Sequence, residues 1–257
     1  MKIAVITGAS SGIGREFARQ IGHFYQTLEE IWVIARRKER LESLAAEVNV
    51  PVRVLAGDLL TKEFYAEFQK LLNTENPDIR MLVNAAGFGK SGRAEDIYRR
   101  DKKSQLQMID LNCIALTRMT FTCLSWMKKG SRIINLSSAA AFCPQPGFAV
   151  YAATKSYVLS FSRGLGAELK GRQVYVTAVC PGPVDTEFFE ISGSADASLK
   201  EAVMVSAPEV VKKALLDSRA KREVSVYGTP MKGARLASKI LPHSWVIKLE
   251  TIGKRLR

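Results

Sequence analysis

Tyr151 and Lys155 stand four residues apart in YAATK. The segment around them has the length and spacing of a helix, and side chains at that interval project from one helical face. A phenol has an ordinary pKa of about 10 and serves poorly in acid–base work near neutrality, but a neighbouring ammonium favours the phenolate and lowers that value. The pair therefore predicts a tyrosine that gives a proton to a carbonyl and takes one back from an alcohol. An isolated pair at this spacing also arises when a core tyrosine shares a face with a solvated lysine.

A second group of residues points to an anion. TGASSGIG, Thr7–Gly14, lies between MKIAVI and an apolar helical pattern. Gly8 permits a tight turn, Gly12 lets a ligand approach the backbone, and Gly14 lets helix and strand pack closely. The helix that follows points unpaired N–H groups and the positive end of its dipole at the turn. A pyrophosphate is the fitting guest, although glycine turns also serve purely steric ends.

The elements that must position these residues are legible in the apolar pattern. Seven short runs rich in β-branched residues, IAVI (3–6), IWVIA (31–35), VRVLA (52–56), MLVNA (81–85), RIINLS (132–137), VYVTAV (174–179) and VSVY (224–227), read as strands. Longer helical segments separate them, among them ERLESLAAEV and IDLNCIALTRMTFTCLSWM. Parallel crossovers need such helices, so a single-domain, doubly wound α/β fold with a seven-stranded parallel sheet is expected. Ser206 with Glu209 forms a capping box, and Pro208 occupies the first turn of its helix. The irregular stretch before it, with Phe188 and Phe189 at its opening, reads as a substrate lid.

Composition excludes several alternatives. The 257 residues are 47% hydrophobic and 25% charged, which suits one large domain. No apolar run reaches the roughly 18 residues of a membrane span. The chain opens in a strand, with no signal peptide expected, and a cytoplasmic protein is predicted. Cys113, Cys123, Cys143 and Cys180 form neither a CxxC pair nor a disulfide framework and read as buried thiols. With only His23 and His243, a His-based triad or multi-histidine metal site has nothing to be built from, and no metal is expected.

Taken in order, TGxxxGxG at Thr7–Gly14, Asp58, NAAG at 84–87, Asn112, Ser137 and Ser138, YAATK at 151–155 and PGPVDT at 181–186 resemble the short-chain dehydrogenase/reductase family, compact branch, from about residue 2 to about residue 227. The resemblance implies a catalytic tetrad. Ser138 bonds the substrate oxygen, Tyr151 is the acid–base residue, Lys155 its activator, and Asn112 holds a water beside the lysine, with Ser137 a neighbour only. The resemblance also implies a nicotinamide dinucleotide on Gly8, Ser10, Ser11, Gly12, Ile13 and Gly14. Asp58 and Leu59 lie by its adenine, Asn84, Ala85 and Gly87 in the flanking turn, Pro181, Gly182, Val184 and Thr186 on the nicotinamide side, and Tyr151 and Lys155 at the ribose. Ala85 departs from the commoner second asparagine, with little loss expected.

The end of strand two decides between the two nicotinamide cofactors, because an acid there bonds the free ribose hydroxyls and repels a phosphate. Here Ala35, Arg36 and Arg37 come before any acid, and guanidinium groups match phosphate oxygens in charge and geometry. NADP(H) is therefore expected, with Arg36 leading, Arg37 second and Arg15 a third cation. Phe142, Pro144, Pro146 and Phe148, between Ser138 and Tyr151, predict an apolar cleft for a carbonyl or secondary alcohol.

The net charge of +13 raises the alternative of a nucleic-acid or membrane-surface binder, but no nucleic-acid motif is visible. Much of the excess falls in residues 230–257, a basic, partly apolar extension after the 1–229 domain, which reads as solvated, subunit-contacting or touching anionic lipid. A catalytically silent dinucleotide sensor is a further alternative that leaves the tetrad unexplained. A homodimer or homotetramer is expected from the resemblance.

Overall fold

In the computed structural model, which describes residues 1–188, 192 and 204–248, all seven apolar runs join one parallel sheet. The strands are β1 (Lys2–Thr7), β2 (Glu30–Ala35), β3 (Val52–Ala56), β4 (Asp78–Asn84), β5 (Arg132–Leu136), β6 (Tyr175–Val179) and β7 (Val224–Ser225). Their spatial order is β3-β2-β1-β4-β5-β6-β7. The helices are α1 (Gly12–Phe24), α2 (Lys38–Ala45), α3 (Lys62–Glu75), α4 (Ala94–Arg100), α5 (Ser104–Ile109), α6 (Leu116–Leu124), α7 (Ala149–Glu168), α8 (Ala207–Arg219) and α9 (Thr229–Ile240).

Alternation along β1 shows why the strands are apolar throughout. Ile3 and Val5 pack into one layer with Trp32, Phe68 and Met119. Ala4 and Ile6 pack into the other with Phe17, Ile21 and Leu215. Strands β1 to β6 each contribute to both layers, as a parallel sheet covered on both faces requires. The chain leaves β1 towards β2 on one side and β4 towards β5 on the other, so the loops after β1 and β4 diverge. A crevice opens between them at the carboxyl ends of the strands.

Three local expectations are corrected. The long helix after Ile109 is interrupted, because Asp110–Ala115 forms a π-helical turn between α5 and α6. The Ser206 hydroxyl donates to Glu209 Oε2 at 3.1 Å and makes no cap bond to the backbone, so the two side chains satisfy each other. Cys143 is partly exposed, while the other three thiols are buried. Phe189 and most of the expected lid lie outside the described residues. Helix α9 starts at Thr229, beside the expected boundary at residue 230, and its Met231 packs with Ala178, Cys180 and Val226.

Candidate functional site

The glycine turn is built by contacts that leave no room for side chains. A Cβ on Gly8, whose φ is +69°, would lie 2.7 Å from the Ala86 nitrogen, and one on Gly14 would lie 2.3 Å from the Gly8 oxygen. Thr7 Oγ1 accepts hydrogen bonds from the N–H groups of Ala85 and Ala86 at 3.1 and 3.2 Å, tying the end of β1 to the turn after β4. The two diverging loops are thereby held in register. Gly12, at φ +51°, faces Thr186 across the crevice, where a Cβ would meet the threonine at 3.3 Å.

The crevice is a cleft of about 1060 Å³. Of the catalytic tetrad and the expected cofactor positions, all line it except Asn84 and Asn112, and of the other expected residues Arg15, Phe142 and Pro144 lie outside it. Asn84 is buried within the sheet, its amide donating to Thr120 Oγ1 at 3.0 Å and Asn135 Oδ1 at 2.9 Å, so its side chain ties the central strands together. Asn112, presented by the π-helical turn, donates to the Phe88 carbonyl at 2.9 Å and Thr154 Oγ1 at 3.0 Å and accepts from the Phe88 N–H at 3.1 Å. A Cβ on Gly87 would lie 2.8 Å from Asn112 Oδ1 and 3.5 Å from Lys155 Nζ. Gly87 thus keeps the space beside amide and ammonium free of a side chain.

Tyr151 and Lys155 share one face of α7 as the spacing requires. The Tyr151 ring lies between Phe148 and Phe188, with centroids 4.8 and 5.4 Å away. Lys155 Nζ donates to the Leu136 carbonyl at 2.9 Å and sits 5.6 Å from the Tyr151 ring centroid. Ser138 Oγ accepts from the Ala140 N–H at 3.1 Å. Ser137 is buried, and its hydroxyl donates to the Lys155 carbonyl at 2.8 Å, a bond that fixes α7 against β5.

The electrostatics overturn the simple expectation of a lowered phenol. Burial pushes Tyr151 up to about 12, with the hydrogen-bonded Ser138 hydroxyl pulling the other way. Burial likewise pushes Lys155 down to about 8. Desolvation penalises whichever member carries charge, and it is the largest cause of both shifts. The pair is held with its tyrosine protonated, the form that donates to a carbonyl.

At the other end of the cleft the arginines divide their tasks. Arg37 donates to Ser10 Oγ at 3.1 Å and Ser11 Oγ at 2.8 Å, so it is tied directly to the glycine turn. Arg36 lines the same end and is exposed. Arg15 turns away instead, paired with Glu47 beyond the end of α2, and adds no third cation to the cleft. Glu187 bridges Arg37, at 3.1 Å, and Arg40, and both guanidinium groups hold its carboxyl below the usual range. Neither Arg40 nor Glu187 was legible as a site residue, though Arg40 lies one helical turn past Arg36.

Pro146 and Phe148 line the cleft as expected, but Phe142 and Pro144 face a separate cavity. Met231, from the C-terminal extension, completes the wall beside Gly182, where a Cβ would lie 2.8 Å from its sulfur. The glycine turn, the helix N-terminus behind it and a guanidinium anchored at Ser10 and Ser11 fit the phosphates of a dinucleotide.

Comparison with known proteins agrees with this geometry. The family model for short chain dehydrogenase matches residues 2–196. Serine 3-dehydrogenase of Agrobacterium fabrum is 35% identical over 189 residues, 72% of this chain and 72% of that protein. A short-chain dehydrogenase from Sphingobium yanoikuyae, solved in complex with NADPH, has a TM-score of 0.77 at 30% identity, covering 92% of this chain and 94% of that one. The bulky-bulky ketone specific alcohol dehydrogenase from Comamonas testosteroni has a TM-score of 0.71 at 27% identity, covering 91% and 90%. The family match runs from β1 past β6 and takes in both the glycine turn and the tyrosine–lysine pair, so this chain belongs to the short-chain dehydrogenase/reductase family of oxidoreductases.

Proposed function

We propose that the chain is an NADP(H)-dependent enzyme that interconverts a carbonyl and a secondary alcohol on a largely apolar small molecule, with Tyr151 as acid–base residue. One observation carries the reading: Tyr151, Ser138, the glycine turn and Arg37 line a single cleft. The nicotinamide, when bound, supplies the hydride to the carbonyl carbon. Tyr151 Oη gives its proton to the carbonyl oxygen, while the Ser138 hydroxyl hydrogen-bonds that oxygen and steadies its charge. The Lys155 ammonium stabilises the phenolate left on Tyr151, and in the oxidative direction the phenolate takes the alcohol proton. Asn112 and Lys155 both lie close beside Gly87, an arrangement that supports a proton relay between them.

The apolar reading of the substrate rests on Phe88, Phe148 and Phe188, which pack around Tyr151. The ketone-specific structural neighbour supports it. Exposed Ile109, Ile114, Phe121 and Tyr157, on α5 to α7 and the π-helical turn, give an apolar face suited to a second copy of the chain. Four free thiols, none in a disulfide, suit the cytoplasm.

The preference for NADP(H) over NAD(H) rests on Arg36 and Arg37 and is supported by the NADPH-bound neighbour. Arg36→Asp and Arg37→Asp are each expected to lower NADPH affinity by at least about tenfold, roughly 1.4 kcal/mol, with a smaller effect on NADH. Glu187→Gln is expected to raise NADPH affinity by about threefold, because its carboxylate competes with the ribose phosphate for Arg37 and Arg40. Fluorescence titration with both cofactors checks this. Equal losses for NADPH and NADH in both arginine variants would remove the assignment.

A further inference from the structure

Helix α9 has two unlike sides. Met231 anchors the inner one in the cluster of Ala178, Cys180 and Val226. Outside, Lys232, Leu236, Lys239 and Ile240 follow the i, i+4, i+7, i+8 interval of one helical face and are all exposed. Leu236 is 61% and Ile240 71% exposed, and beyond the helix Trp245 is 61% exposed. From Thr229 to Lys248 the chain contains no acidic residue.

A solvated helix puts polar groups where Leu236 and Ile240 stand. A contact between two copies would face lysine against lysine on chains of net charge +13, and lysine is depleted at protein interfaces. An anionic bilayer meets both requirements, taking leucine, isoleucine and tryptophan into its headgroup boundary while its phosphates receive the lysines. We propose that the segment from Thr229 to Lys248 docks the protein on the surface of an anionic bilayer.

The placement of this segment gives docking a use. His243 and Ile247 close a cavity of about 440 Å³ against Phe142, Pro144 and Ala149. Gln145 and Pro146 wall both this cavity and the catalytic cleft. A docked tail therefore holds the loop after Ser138 at the lipid surface, where an apolar carbonyl partitions. The docking itself is independent of the reaction the cleft performs.

Co-sedimentation of the full chain with vesicles of phosphatidylglycerol, or of phosphatidylcholine alone, tests the proposal at low and physiological salt. The expected result is sedimentation with phosphatidylglycerol only, weakened as the Debye length falls to about 8 Å at physiological salt. The double variant Leu236→Glu, Ile240→Glu and the double variant Lys232→Glu, Lys239→Glu are each expected to cut the pelleted fraction by at least about tenfold. Unchanged circular dichroism and NADPH binding show that these variants remain folded. No sedimentation of the wild-type chain, or sedimentation that both variants retain, overturns the proposal. So does loss of a dimer in light scattering for the Leu236→Glu, Ile240→Glu variant without vesicle binding by the wild type, which assigns the face to a second copy.

Discussion

Replacing Tyr151 by phenylalanine is expected to lower turnover by about 10² to 10⁴ while leaving NADPH affinity within about twofold. Only the phenolic oxygen is lost, and the ring stays packed between Phe148 and Phe188. Because binding is spared, the loss falls in kcat, as it does when an interaction made only in the transition state is removed. Single-turnover measurement with saturating NADPH reads that step directly. Retention of more than about a tenth of wild-type turnover would exclude Tyr151 as the proton donor.

Gly14→Ala, by contrast, is expected to damage cofactor binding, for a geometric reason. Alanine is favoured over glycine within a helix by about 1 kcal/mol. At this position, however, its Cβ would sit 2.3 Å from the Gly8 oxygen and 3.2 Å from the Ala9 nitrogen, both backbone atoms. Relieving the overlap moves the first turn of α1 off β1, and overpacking of this kind costs about 1 to 3 kcal/mol. NADPH affinity is expected to fall by at least about tenfold and the melting temperature to drop. Gly164→Ala on α7 is the control, since nothing lies within 4 Å of its added Cβ. That variant is expected to gain stability, and a matching loss in both variants would contradict the steric account.

The layered fold was readable because strands β1 to β6 pack into both layers, which forces continuous apolar runs that local periodicity exposes. Tyr151 with Lys155, and the glycine turn, were readable because each is a short-range pattern whose geometry follows from one helix or one turn. Contacts between distant elements were not. Arg15 just past the glycine turn and Arg36 and Arg37 after strand two look alike as cations, and what separates them is Glu47, beyond the end of α2, pairing with Arg15. The partners of the Asn84 amide, Thr120 and Asn135, come from two other elements that the motif at 84–87 does not indicate. The direction of the Tyr151 shift depends on burial, which the four-residue spacing does not encode. Phe142 and Pro144 belong to the same loop as Phe148, yet a turn of that loop places them in another cavity.

The central claim is that one cleft joins a phosphate-bearing nicotinamide cofactor to proton transfer by Tyr151. The absorbance of reduced nicotinamide, followed while the purified chain is offered a panel of bulky apolar ketones and aldehydes with NADPH or NADH, tests it most directly. The account predicts carbonyl-dependent oxidation of NADPH, slower oxidation of NADH at equal low concentration, and a rate for Tyr151→Phe lower by at least about 10². Oxidation of both cofactors at the same rate, or a Tyr151→Phe enzyme as fast as the wild type, would contradict it.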